Sequence, residues 1–596
     1  MAKLRRSSAA LLVSSLVCVP LLLVSCARQA MESGSADNQL KELLSEEWEY
    51  ELKSSPETAT ALGDNRYNAK LSDYSPAWFA QDAERNRAFL DQFQHVDPDK
   101  LTAENVLNRT LMIRRLRDKV EAYTLKDWEM PVDQMNGIQI GLAALPGYTR
   151  FANAHDYDDY VSRLHKYPKA FEQIEDDLRM GVQDHLVQPK YLLEKVAVQT
   201  QQIADAPVDK SPFAIPIQKF PDGITEADRK RITSSIKDVI EKEVAPAYRK
   251  FTQFVRDDYA PHGRTDPGIW SLPDGDARYR RAVRVMTTTE LSPEQFHEIG
   301  LKQVDAIEKE MLALANKLGF HDLASLKKHI ESTKSFYATS GQQILDLYKS
   351  YIDQMRPEMP KLFGRQPKAQ LNVVPMEAFR AKGAPPADYS PGATDGSRPA
   401  RINVNESDPT HRLTINIEAV AYHEGIPGHH QQIALAQEMK GLPDFRKNAG
   451  YNAFVEGWAL YAEQLGKEVG FYKDPYSDYG RLENEMWRAV RLVVDTGVHY
   501  KHWTREQMVD YFRAHTALDE PSIQSEVDRY IAWPGQALAY KAGQIKILEL
   551  RARAKKELGS RFDLRAFHDA VLGEGALPLD VLETRMDSWI DKQKTQ

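Results

Sequence analysis

Cysteine is nearly absent from this chain of 596 residues: there are two, Cys18 and Cys26. Cys18 sits within an N-terminal apolar run and Cys26 ends it, so no thiol is left in the body for a disulfide or a cysteine-type metal site. Any metal must be held by His, Asp or Glu. Long apolar runs are equally scarce, and beyond residue 24 nothing approaches the roughly 20 residues of a membrane span. Basic clusters are missing too. Without Lys3, Arg5 and Arg6 the chain has 75 basic against 86 acidic residues, a balance that gives no support to nucleic-acid binding. No Gly-x-Ser-x-Gly is present for serine hydrolysis, and no phosphate-cradling glycine motif for nucleotide use.

What is present begins at the N-terminus. Lys3, Arg5 and Arg6 precede a mostly apolar run from Ala9 to Val24, the pattern of a secretory signal covering residues 1–25. Leu23-Val24-Ser25-Cys26 resembles the bacterial lipobox, which implies lipidation of Cys26 as the mature N-terminus. Ala27 stands where an aspartate would favour the inner membrane, so the resemblance favours an outer-membrane lipoprotein facing the periplasm. Residues 26–38 are small and polar, as in a tether.

From residue 39 the dominant period is helical, as in Leu40-Leu43-Leu44-Trp48, Val304-Ile307-Met311 and Ile344-Leu347-Tyr348-Tyr351, with apolar residues at three- and four-residue steps. Strand signals are few. Gln370–Pro375 and Arg401–Asn405 flank a Gly/Pro/Ser-rich stretch, 383–399, and predict a small sheet. A Pro/Gly/Asp-rich segment at 257–276 suggests a boundary between an N-terminal helical lobe, 39–260, and a second lobe, 261–596.

Chemistry concentrates at His423-Glu424-Gly425-Ile426-Pro427-Gly428-His429-His430 and in the helical segment containing Glu456 and Glu463. Two histidines, an adjacent glutamate and a downstream helical glutamate are the components of a catalytic zinc site. The usual His-Glu-x-x-His puts its ligands one turn apart; here the second histidine comes six or seven positions after the first. Pro427 has no amide hydrogen for the carbonyl of His423, so the helix must be distorted between them. A two-residue bulge at Ile426-Pro427 restores the spacing of four for His429. His423 and His429 are therefore the expected ligands, with His430 as the alternative to His429. Glu424 is the expected base. Glu456 is the expected third ligand, next to a Gly457 that allows another helix to approach. Glu463, a heptad later, is the substitute ligand or the partner that orients a histidine.

These segments, with Arg491-Leu-Val-Val-Asp-Thr-Gly-Val-His499, Trp533-Pro-Gly-Gln-Ala-Leu-Ala-Tyr540-Lys-Ala-Gly543 and Phe567-His-Asp-Ala-Val-Leu-Gly573, resemble the bacterial domain-of-unknown-function family eight-eight-five over about residues 37–590. That family is similar in turn to the helical zinc peptidases: angiotensin-converting enzyme, the thimet-type oligopeptidases and the Taq-type carboxypeptidases. The resemblance implies zinc on His423, His429 and Glu456, and Glu424 as base. It also implies a donor to the developing oxyanion, for which Tyr540 and His499 are the candidates. Arg491, Asp495 and Arg529 are candidates for holding a peptide terminus. Arg401–Asn405 would supply the edge strand on which an extended peptide pairs.

The sequence thus predicts a mainly α, two-lobed fold like that of the zinc peptidases, around a deep cleft, with a small sheet beside the active-site helix. Zn(2+) would serve hydrolysis of short peptides. The alternatives are a non-catalytic binding or assembly lipoprotein on the same fold, and a zinc amidase acting on cell-wall peptides.

Overall fold

The residues described in the computed structural model are 18–377, 381 and 384–595, those of 18–33 by backbone alone. Residues 1–17 of the expected leader and the side chain of Cys26 lie outside them. No helix among the described residues is long and apolar enough to cross a membrane.

The chain is mainly α, with a single three-stranded sheet among the described residues. It divides into two compact units: the described residues up to Glu51 with Ala80–Thr124, and Leu52–Phe79 with the described residues from Leu125 onward. The first unit consists of helical segments. The helix Cys18–Ser54, which belongs to this unit up to Glu51, takes in residues 34–38, which composition assigns to the tether. Ala36 is buried there, and the Asp37 carboxylate accepts from the Thr102 amide at 3.1 Å and from Asn105 Nδ2 at 2.7 Å. The packed chain therefore starts earlier than the composition indicates, because these two residues find tertiary partners.

The segment 257–276 does not divide the second unit. It is bound into it: Lys190 N donates to Arg264 O at 3.0 Å and Ile269 N to His499 Nδ1 at 3.0 Å.

Six helices and the sheet position the site. They are α1 (Ile417–Glu424), α2 (His429–Glu438), α3 (Asn452–Glu468), α4 (Pro475–His499), α5 (Glu520–Ala532) and α6 (Ala539–Leu558). Helix α4 starts cleanly because Asp474 caps the Tyr476 amide and Pro475 fills a first-turn position that needs no donor. From Tyr479 on it is almost wholly buried. Its Leu482, Met486, Val490 and Val493 pack with Val304, Ile307 and Met311, residues of the period seen in the sequence. A charged residue inside such a helix must be paired. Asp495 accordingly accepts from Tyr279 Oη at 2.7 Å and from Gly535 N at 3.1 Å.

The sheet consists of β1 (Leu371–Pro375), β2 (Ala387–Ser390) and β3 (Ala400–Val404) in the order β1-β3-β2. β1 runs parallel to β3, and β2 antiparallel to it. The two predicted strands do pair, but 401–404 forms the centre of the sheet and not its edge. Ile402, Asn403 and Val404 are all buried, as a strand covered on both sides requires. One edge is β2, inside the stretch read as loop.

Candidate metal centre

The distortion expected at Pro427 is a full break. α1 ends at Glu424, the Ile426-Pro427 peptide is cis, and α2 starts at His429. The backbone ladder nevertheless keeps its count. Gly428 N donates to Tyr422 O at 3.0 Å, a span of six where a continuous helix has four. The two extra residues are looped out, and His429 returns to the register in which it faces His423. A side chain at 428 cannot fit, since a Cβ there would lie 2.0 Å from His423 O. Trp458 Nε1, from α3, donates to Pro427 O at 2.9 Å and ties the break to the helix that carries Glu456.

Helix α3 is placed by a crossing with α6 at which both helices have glycine. A Cβ on Gly543 would lie 1.7 Å from Ala453 O, and one on Gly457 would lie 2.4 Å from Gly543 Cα. The backbones touch there, as Gly457 suggested.

Nε2 of His423 and Nε2 of His429 each lie 3.6 Å from Glu456 Oε2. One atom from each of the three residues falls within 4.8 Å of the others, forming the sole such group of three or more among the described residues. Ligands on a tetrahedral zinc, at about 2.0–2.2 Å from the ion, are about 3.3–3.6 Å apart. The separations are too long for good hydrogen bonds and suited to a shared cation, so the donor set fits zinc. Burial alone would raise the Glu456 carboxyl, but the two imidazoles beside it hold it well below the usual carboxylate range.

His423 Nδ1 is 2.8 Å from Glu463 Oε1. Glu463, two turns beyond Glu456 on the same face, thus orients a histidine and is not itself one of the three converging groups. His430 points elsewhere: its Nδ1 meets Tyr389 Oη at 3.2 Å and its Nε2 meets Ala369 O at 3.1 Å. Burial pushes its pKa down to about 4, which keeps it neutral. Glu424 Oε2 is 3.9 Å from His429 Nε2. Burial pushes the Glu424 carboxyl up to about 8, with the His429 and Arg488 charges opposing and those of Glu456 and Asp388 adding.

All of these except His430 and Glu463 line a cavity of about 320 Å³, together with Tyr389 of β2, Arg488 and Arg491 of α4, Arg529 of α5 and Tyr540 of α6. Tyr540 is therefore brought to the site. His499 is not: its Nδ1 accepts from Ile269 N and its Nε2 donates to Tyr530 O at 3.0 Å. Burial holds its pKa near 3, so it is a satisfied core histidine. Asp495, committed to Tyr279 and Gly535, is likewise no part of the cavity wall.

Arg488 and Tyr389 are among the lining residues not singled out in the sequence. Arg488 lies three residues before Arg491 on a helix, so the two share a face, and that spacing was the available signal. Tyr389 lies in a Pro/Gly-rich stretch that masks a four-residue strand.

Comparison with known proteins agrees with the fold and leaves the activity open. No curated protein matches the chain. A crystal structure described as that of "the putative lipoprotein from Colwellia psychrerythraea" is similar to it, with TM-score 0.87 and 29% identity over 94% of this chain and 99% of that one. A Shewanella oneidensis structure, described as "a putative lipoprotein of unknown function", shares the fold with TM-score 0.68 and 17% identity over 92% of this chain and 99% of that one. Residues 56–586 match the family model described as "Bacterial protein of unknown function (DUF885)", and the chain belongs to that family.

Proposed function

We propose that this protein is a zinc peptidase that hydrolyses peptide bonds in short peptides at the cell envelope. The observation that carries the reading is the convergence of His423, His429 and Glu456, with Glu424 at hand, on one cavity. His423 Nε2, His429 Nε2 and Glu456 Oε2 would hold the ion. When bound, it would polarise the scissile carbonyl and lower the pKa of a water at its open position.

The remaining steps belong to this chain's side chains. Glu424 takes the proton of the attacking water and delivers it to the leaving amine. Its burial favours the protonated form that must do the delivering, while the nearby positive charges favour the carboxylate that must do the accepting. Glu463 fixes the ring of His423 and its tautomer through Nδ1. Tyr540 Oη accepts from Arg529 Nη2 at 2.9 Å and from Gln536 Nε2 at 3.4 Å. Its own O–H is left to donate to the oxygen that becomes negative. β2 offers an edge on which an extended peptide can pair. Asn405 N donates to Pro386 O, so by the alternation of an antiparallel ladder Asp388 and Ser390 face β3 while Ala387 and Tyr389 turn their backbone groups outward.

The lipobox-like end at Cys26 supplies the anchor, in keeping with the lipoprotein descriptions of the two similar structures, and Ala27 directs it to the outer membrane. The test is metal content and a single variant. Purified protein should hold about one zinc per chain, and Glu424→Gln should keep the zinc and lose at least about 100-fold in peptide hydrolysis. A folded sample without zinc, or a Glu424→Gln variant with full activity, refutes the proposal.

A further inference from the structure

Three guanidinium groups line the cavity that holds the metal centre: Arg488, Arg491 and Arg529. The neighbouring carboxylates do not balance them. Arg491 Nη2 donates to Glu526 Oε2 at 3.0 Å, and Arg529 Nη1 lies 3.6 Å from Oε1 of the same residue. Two cations share one anion. The nearest carboxylate to Arg488 is Glu463, at 3.8 Å, and Glu463 is already engaged with His423 at 2.8 Å.

Hydrogen bonding is incomplete in the same place. Arg488 Nε, Arg491 Nη1 and Arg529 Nε are buried without a partner. Arg488 and Arg491 are 5% and 2% exposed. These nitrogens are closed to solvent, so an anion in the cavity would meet the three guanidinium groups at the faces that line it and would offset a charge that is costly to bury.

Their positions are held firmly. The Arg491 guanidinium lies 4.6 Å from the centre of the Trp487 ring and 4.3 Å from that of Tyr540. Arg529 reaches the Tyr540 hydroxyl. Aromatic stacking of this kind fixes the plane of a guanidinium and prepares it for a flat, two-oxygen ligand. Glu424, Glu456 and Asp388 line the same cavity; a bound dication would offset the charge of the first two, which leaves Asp388 and Glu526 against three guanidinium groups.

We infer that this wall is a carboxylate subsite, by which the site holds short peptides through their free C-terminal carboxylate and cleaves close to that end. The inference rests on the peptidase reading and deepens it. A cavity of about 320 Å³ is at the small end of the roughly 300–1,000 Å³ of ligand pockets, which suits a short peptide end.

The test uses the full chain with Glu424→Gln, loaded with zinc, so that binding is measured without turnover. Calorimetric titration compares N-acetyl-Ala-Ala-Ala with its C-terminal amide and with N-acetyl-Ala-Glu-Ala-amide. The acid should bind at least 10-fold more tightly than its amide. Arg529→Gln, at the least buried of the three positions, and Arg488→Gln should erase that preference while zinc content is retained. Tight binding regained by the glutamate-containing amide keeps the carboxylate chemistry and moves its source to an acidic side chain. Equal affinity for acid and amide, with hydrolysis intact in the parent protein, overturns the subsite alone. Failure of all three peptides to bind the zinc-loaded protein overturns both the subsite and the peptidase reading.

Discussion

Replacing Gly543 by alanine tests the placement of α3, the helix that carries Glu456, directly. The added Cβ would lie 1.7 Å from Ala453 O and 2.8 Å from Gly457 Cα. Ordinary contacts begin near 3.4 Å, so α3 and α6 must part by well over an ångström. No flexible side chain can yield, because both obstacles are backbone. Overpacking of a core costs about 1–3 kcal/mol when side chains can adjust, so a backbone obstacle should cost about 3 kcal/mol or more. That is a large part of the roughly 5–15 kcal/mol that keeps a domain folded. Gly141 provides the control. It sits inside the helix Ile138–Ala144, where an added Cβ would meet nothing within 4 Å, and alanine there should stabilise by about 0.5–1 kcal/mol. Thermal melting of the two variants beside the parent protein, with zinc content measured on each, reads both effects. Gly543→Ala should melt several degrees lower and hold less zinc, since Glu456 lies next to the crossing. A Gly543→Ala protein that melts within a degree of the parent and binds zinc normally would refute the backbone contact.

Three further outcomes are expected. Glu463→Gln should weaken zinc binding by about 10–100-fold in a chelator competition, as loss of a ligand-orienting partner does; unchanged affinity would remove Glu463 from that role. His430→Gln should keep its zinc while His429→Gln loses it, so metal analysis of the pair separates the neighbouring histidines, and the reverse pattern contradicts the register across the helix break. Asp177 is fully buried with neither carboxylate oxygen hydrogen-bonded, and burial, reinforced by Asp176, Glu129 and Asp73, raises its pKa to about 8. A carboxyl whose folded pKa is raised contributes stability at low pH that is lost as pH rises from the ordinary value, near 4, through about 8. The advantage of Asp177→Asn over the parent protein in chemical denaturation should therefore grow from pH 5 to pH 9, by up to about 1.4 kcal/mol per pH unit, and parallel pH profiles would show that the group does not titrate on unfolding.

Much of the centre was legible because its parts are local. His423, Glu424, Pro427 and His429 lie within seven residues, and the geometry of a helix with a missing donor leads to a looped-out pair. Glu456 and Glu463 follow from one helical face. The full break was less legible than a bulge, because α2 is started afresh by a backbone turn that a tertiary contact, Trp458 to Pro427, helps to hold in place. His499 was misread because its type and position on an aromatic-rich helix suit a donor as well as a core residue. Its two hydrogen bonds go to residues 230 and 31 positions away, which no local pattern encodes. The edge strand was missed for the opposite reason: β2 is four residues long among prolines, and it owes its extended form to the neighbouring β3.

Those prolines have a further effect, on self-association. An open strand beside an accessible cavity is a template on which any unfolded segment or second copy can add itself. Here Pro385 and Pro386 precede β2 and Pro391 follows it, and proline has no backbone hydrogen to offer an incoming strand. Between them the outward-facing edge is two residues, Ala387 and Tyr389. That rail is too short to seed a sheet between molecules, so the edge can stay open without making the protein sticky.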